Sequence, residues 1–92
     1  MKRHSFKAKV KKFSGKGGWH YVDVPDELVI QPKQKNPWGF IYIEAELDNV
    51  KWTSNLLPKG NGHYFIPLKA TIRKKTGISL GDSVSLRFSY IK

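Results

Sequence analysis

The chain has 92 residues, one domain's worth, and at that size only ~60–65% of the unfolded surface becomes buried, so the core must be compact. It contains no cysteine, which excludes a disulfide framework and thiolate metal sites. Its 17 basic and 7 acidic residues leave a net charge of +10, a balance suited to anionic partners and to keeping a small aromatic-rich domain dissolved.

Residues 1–4 are basic like the start of a signal peptide and are expected to form a flexible tail. Lys7, Lys9, Lys11 and Lys12 then interrupt any apolar run. No stretch is apolar and long enough to cross a bilayer as a helix, so no membrane role is expected. The cytoplasm of a bacterium-like cell is the expected compartment.

Phe6, Ala8 and Val10 alternate with Lys7, Lys9 and Lys11, the pattern of a half-buried strand. Residues 15–18, Gly-Lys-Gly-Gly, predict a turn. Residues 19–24 predict a second strand, with apolar residues in both phases. Pro25, Asp26 and Glu27 suit the first turn of a short helix, and residues 31–37 a surface loop. Residues 40–47 are the clearest strand: Ile41, Ile43, Ala45 and Leu47 on one face, Tyr42, Glu44 and Glu46 on the other. Asp48 and Asn49 tolerate positive φ and predict a tight hairpin.

Val50, Trp52, Ser54 and Leu56 share a face of the next strand, and residues 58–62 predict a turn. Tyr64, Ile66 and Leu68 point one way on the following strand, where Pro67 signals an edge or an end. Residues 70–75 predict a short helix closed by Gly77, with Lys74 and Lys75 in its last turn. Val84, Leu86, Phe88 and Tyr90 predict the final strand.

A faint repeat runs through this order. With Gly18 laid on Gly62, 44 residues on, Tyr21 falls on Phe65, Val22 on Ile66, Val24 on Leu68 and Leu28 on Ile72. Each half reads as strands around one short helix. Two such halves bury their apolar faces against each other. The expected fold is all-β: a small closed six-stranded barrel with pseudo-two-fold halves and one or two short helices.

Two resemblances follow from particular residues. Phe6, Lys7 and Ala8, Trp19 with Val22, Val24 and Pro25, residues 52–58 (Trp-Thr-Ser-Asn-Leu-Leu-Pro), Gly60, Gly62 and Tyr64, residues 73–77 (Arg-Lys-Lys-Thr-Gly) and residues 81–84 (Gly-Asp-Ser-Val) together resemble the bacterial and archaeal small β-barrel family called domain of unknown function 1905. Asp48-Asn49 stands where that family usually has Asn-Gly, and Ala45 where it often has glycine. The resemblance implies a closed six-stranded barrel and no established activity. Some members are fused to a helical domain of the bacteriocin-protection type, which implies a binding or accessory role. Locally, Ile66-Pro67, residues 72–78 and residues 80–84 resemble the core of AbrB-type swapped-hairpin domains, intertwined dimers that lay basic residues on DNA. This chain is about twice that length, so monomer and homodimer both stay open.

Catalytic and metal chemistry finds little in the residues. His4, His20 and His63 are the only histidines and none has ligand spacing with another, although the repeat brings His20 and His63 into correspondence. Glu44 and Glu46 share a strand face, as an acid/base pair would, and as an exposed face answering lysines would. Asp82 is expected to bond the backbone of its turn. Residues 15–18 lack the spacing of a nucleotide-binding loop. No cofactor, metal or catalytic residue is expected.

The charge is more informative. Lys7, Lys9 and Lys11, continued by Lys12 and Lys16, form a basic track, and Trp19 and Tyr21 follow it. Arg73, Lys74 and Lys75 supply a second basic site. Lysines neutralise phosphate and exposed rings stack bases, so these ten residues are the candidate nucleic-acid surface. The expected function is a non-enzymatic module that binds nucleic acid, or failing that an acidic protein, chiefly through charge. Two alternatives stand beside it: a protein-interaction domain anchored on Trp38, Phe40 and Tyr42, and a small-ligand barrel using Glu44, Glu46 or His20.

Overall fold

A computed structural model describes residues 3–14, 19–29, 41–60 and 62–91. Seven strands and one α-helix follow in order: β1 (His4–Lys9), β2 (Lys11–Lys12), β3 (His20–Val24), β4 (Ile41–Leu47), β5 (Val50–Gly60), β6 (His63–Pro67), α1 (Ala70–Thr76) and β7 (Ser83–Tyr90). One turn of 3-10 helix, Asp26–Leu28, follows β3 where the proline and acids predict it. Of the expected tail, His4 already belongs to β1 and Arg3 pairs with Glu46 at 2.7 Å.

Every strand pairing is antiparallel, in the order β1-β7-β4-β5-β6-β3-β2. The two ends of that order, β1 and β2, are one residue apart in the chain, so the sheet curls into a nearly closed barrel. Six strands were expected and the described residues form seven. The reason is Val10, 1% exposed, whose N–H donates to the Asp82 carbonyl and whose carbonyl accepts from the Gly81 N–H, each at 2.8 Å. Those bonds hold the first strand to a turn instead of to a ladder, and the strand breaks there. Gly81 carries φ +89° at this junction, a conformation that glycine adopts freely.

The hairpin between β4 and β5 has the expected two-residue turn, with Asp48 and Asn49 at φ +50° and +68°. Both central residues in the left-handed region match the twist of the flanking strands. β5 then runs further than predicted, through Pro58 to Gly60. A register shift between Pro58 and Gly60 accommodates the proline, which has no N–H to offer the ladder. Pro67 ends β6, as its missing N–H predicts. Gly77, left-handed at φ +73°, stops α1, and its N–H donates to the Arg73 carbonyl.

Alternation fills the interior. Ile41, Ile43, Ala45 and Leu47 of β4 meet Leu56, Ile66, Leu86 and Phe88, all buried. The ambiguous phase of β3 resolves the same way: Val22 and Val24 face the core, Tyr21 and Asp23 face out. Ile72 anchors α1, and Trp52 packs on the edge of the core. Val22 lies directly opposite Ile66, the residue that the repeat aligns with it. Exchanging the halves, β1/β2 with β5, β3 with β6 and β4 with β7, leaves the strand order unchanged.

Candidate nucleic-acid interface

The outer face of β1 and β7 carries cations and hydroxyls in register. Ser5 is opposite Arg87, Lys7 opposite Ser85, and Lys9 opposite Ser83, all six exposed. They face solvent because Phe6, Ala8, Val84, Leu86 and Phe88 occupy the other phase. Neither β1 nor β7 contains an acid. A depression of about 410 Å³ lies among Ser5, Lys7, Ser85 and Arg87. Lys7 and Lys9 are thus where the sequence predicts them. Arg87 was missed, because its membership depends on β7 pairing with β1, a contact some 80 residues away along the chain.

The track continues through Val10 to β2, where the two lysines diverge. Lys11 donates to Asp23 at 2.9 Å and is spent on an ion pair. Lys12 lies opposite His20 at the rim of the barrel. There α1 comes alongside, because the Leu68 N–H donates to the His20 carbonyl at 2.8 Å while the Leu68 carbonyl accepts from Arg73 Nε at 3.2 Å. Desolvation, then the Arg73 guanidinium and the Lys12 ammonium, lower the pKa of His20 below its ordinary value. Lys12, His20 and Arg73 therefore form one electropositive group from three elements. Lys74 and Lys75 are exposed on α1. The two basic sites read separately from sequence meet at His20. No local spacing announces that, since the join is a backbone bond between residues 20 and 68. Lys16 lies outside the described residues.

The aromatics divide. Trp19, one residue before β3, is 57% exposed, and its carbonyl accepts from the Phe13 N–H at 3.0 Å. Of the two candidate stacking rings, Tyr21 is ruled out by its burial: it is only 6% exposed. Phe13 stacks on it with centroids 4.0 Å apart, Phe65 meets it edge-on, and Lys59 Nζ stands 5.0 Å from its ring centre. This outer cluster leaves no face of Tyr21 for a base.

On β4, the next strand after β7 in the sheet, Glu46 lies opposite Arg87 and Glu44 opposite Ser89, so the basic face is bordered by acids on its β4 side. Burial alone would raise the Asp23 carboxyl, but hydrogen bonds and charge from Lys59 and Lys11 outweigh it and hold the pKa below the usual range. The hydrogen bond that Lys59 donates to Asp23 raises the lysine's pKa in turn. Glu46 accepts from Arg3, and Asp82 Oδ2 accepts from the Ser79 N–H at 2.8 Å, the turn role expected of it. His63 Nδ1 lies 2.9 Å from Asp26 Oδ1. The correspondence of His20 and His63 does not bring them together, since they sit at opposite ends of the β3–β6 ladder. Among the described residues three ion pairs engage Arg3, Lys11 and Lys59, and no carboxylate oxygen lies within salt-bridge distance of Lys7, Lys9, Lys12, Arg73 or Arg87. No group of three His, Cys, Asp or Glu among them is placed to hold a metal. No helix among them is long and apolar enough to cross a membrane.

A nearly closed antiparallel barrel with a basic outer strand defines a small β-barrel domain. The family described as Domain of unknown function (DUF1905) matches residues 6–88, nearly the whole chain, and the protein belongs to that family. No curated protein matches the chain.

Proposed function

We propose that this domain is a non-enzymatic binding module for an anionic polymer, nucleic acid before acidic protein, held mainly by its phosphates. The observation that carries the reading is the acid-free face of β1 and β7, where Lys7, Lys9 and Arg87 alternate with serine hydroxyls across the ladder. Cations beside hydroxyl donors are what phosphate oxygens accept from. Lys12, Arg73, Lys74 and Lys75 extend the surface around the rim.

The apolar packing of the interior supports binding over a ligand barrel, since small-molecule sites need a concave pocket with convergent polar groups. Glu46 is paired with Arg3, and His20 sits among cations, so neither is arranged as an acid or base toward a cleft. In this reading the bent β1/β2 counts as one strand, and the fold is a closed six-stranded barrel of two like halves. The cytoplasm is its proposed compartment. Of the aromatic anchors for a protein partner, Tyr42 is exposed, and Trp38 and Phe40 lie outside the described residues.

The test is binding of a labelled random single strand and a duplex, titrated from low to physiological salt. The logarithm of the affinity should fall linearly with the logarithm of salt, with a slope of about 0.7–0.9 per phosphate neutralised. Combined Lys7→Glu, Lys9→Glu and Lys12→Glu should abolish binding with the fold intact. Lys11 is left alone because reversing it would strand Asp23. Wild-type binding that vanishes by physiological salt would overturn the reading and make the +10 charge a solubility feature.

A further inference from the structure

The basic track has a direction and an end. β1 and β2 are successive stretches of one segment; its odd positions 7, 9 and 11 face outward while Lys12 takes the opposite phase with His20, so the outward cations follow one another from Lys7 toward Phe13. At ~3.3 Å per residue that line is on the order of 20 Å long. It finishes at the β2–β3 ladder, where Lys12 faces His20 and Phe13 bonds the carbonyl of Trp19. The indole is there the most exposed ring beside the basic groups, at 57%, while its neighbours Phe13, Tyr21 and Phe65 are packed on one another.

A large apolar ring left in water at the end of a cationic line is costly to solubility and contributes little to the core. The Trp19 carbonyl accepts from the Phe13 N–H one residue beyond the ladder, which places the ring at the entrance to β3. An unpaired base has a free face to offer such a ring. The bases of a duplex are already stacked on one another and do not.

We propose that Trp19 is a stacking platform for an unpaired base, with Lys9 and Lys7 on the same outer face receiving the neighbouring phosphates, so that the partner is single-stranded nucleic acid. This rests on the phosphate-binding reading above and narrows it.

The experiment measures the affinity of a labelled oligothymidylate and of a blunt duplex of equal length at one low salt concentration. The proteins are wild type, Trp19→Ala, Trp19→Phe and the Lys7/Lys9/Lys12 charge reversal. Stacking of one base predicts that Trp19→Ala weakens single-strand binding by roughly 10-fold and leaves the duplex unchanged. Trp19→Phe should keep most of the affinity. If Trp19→Ala binds both probes as wild type does, or loses both equally, the stacking proposal is wrong. The phosphate reading then still stands, provided the charge reversal removes binding. If wild type binds neither probe, both fall together.

Discussion

Val22 and Ile66 face each other across the β3–β6 ladder, and neither exposes any surface. They hold the two halves of the barrel together at the point where the repeat lays one half on the other. Truncation there leaves a cavity that rigid strands on both sides cannot close. Ile66→Ala should cost about 2–5 kcal/mol and Ile66→Val about 0.5–1.5 kcal/mol. Chemical denaturation followed by tryptophan fluorescence measures both.

Asp23 links β2, β3 and β5 through its two lysines. Its pKa is lower folded than unfolded, so its contribution is complete above the ordinary carboxyl value of 3.8 and is lost as pH falls through the depressed folded value. All three groups are partly in solvent, so the contribution is modest, about 0.2–1 kcal/mol. Asp23→Asn should be less stable than wild type near neutrality, and the difference should shrink in acid. Urea midpoints at several pH values, compared between the two, decide it.

His20 reports on the rim. Its folded pKa lies below 6.5, so the unfolded chain takes up the proton first and His20 subtracts stability as pH drops through that window. Arg73→Ala removes one of the repelling charges and should raise the His20 pKa, though not to its ordinary value, because desolvation and Lys12 remain. A phosphate bound between Lys12 and Arg73 should raise it in wild type too. Imidazole proton shifts followed against pH, with and without oligonucleotide, give both results. An unmoved His20 in Arg73→Ala would separate the two side chains.

Gly81 has open space where a Cβ would project, yet holds φ +89°. Gly81→Ala should therefore cost about 1–2 kcal/mol through backbone strain alone. Hydrogen exchange at Val10, whose N–H bonds to Asp82, should speed up more than exchange in β4, because the strain falls on the turn that holds the bend.

Alternating residues made most of the barrel legible: Phe6 to Lys11, Ile41 to Leu47 and Val84 to Tyr90 carry their face assignments in their own side chains. So did the Asp48-Asn49 turn and the Gly77 cap, which depend on local backbone chemistry. The break at Val10 was hidden because residues 81 and 82 cause it from the far end of the chain. The burial of Tyr21 could not be read from a strand with apolar residues in both phases, because the fold-back of Phe13 and the pairing of β3 with β6 are what cover it. The lysines at 7, 9, 11 and 12 looked equivalent. A cross-strand acid, Asp23, sets Lys11 apart.

β1 also pairs with β7, His4 against Phe88, which brings the first and last strands side by side. With the strand order unchanged on exchanging halves, the ring has no required starting point. A short linker from Ile91 to Arg3, with the backbone opened between Asp48 and Asn49, would begin the chain at β5 and end it at β4. Such a circular permutant should refold to the same barrel, with the cationic strand now an interior segment of the chain.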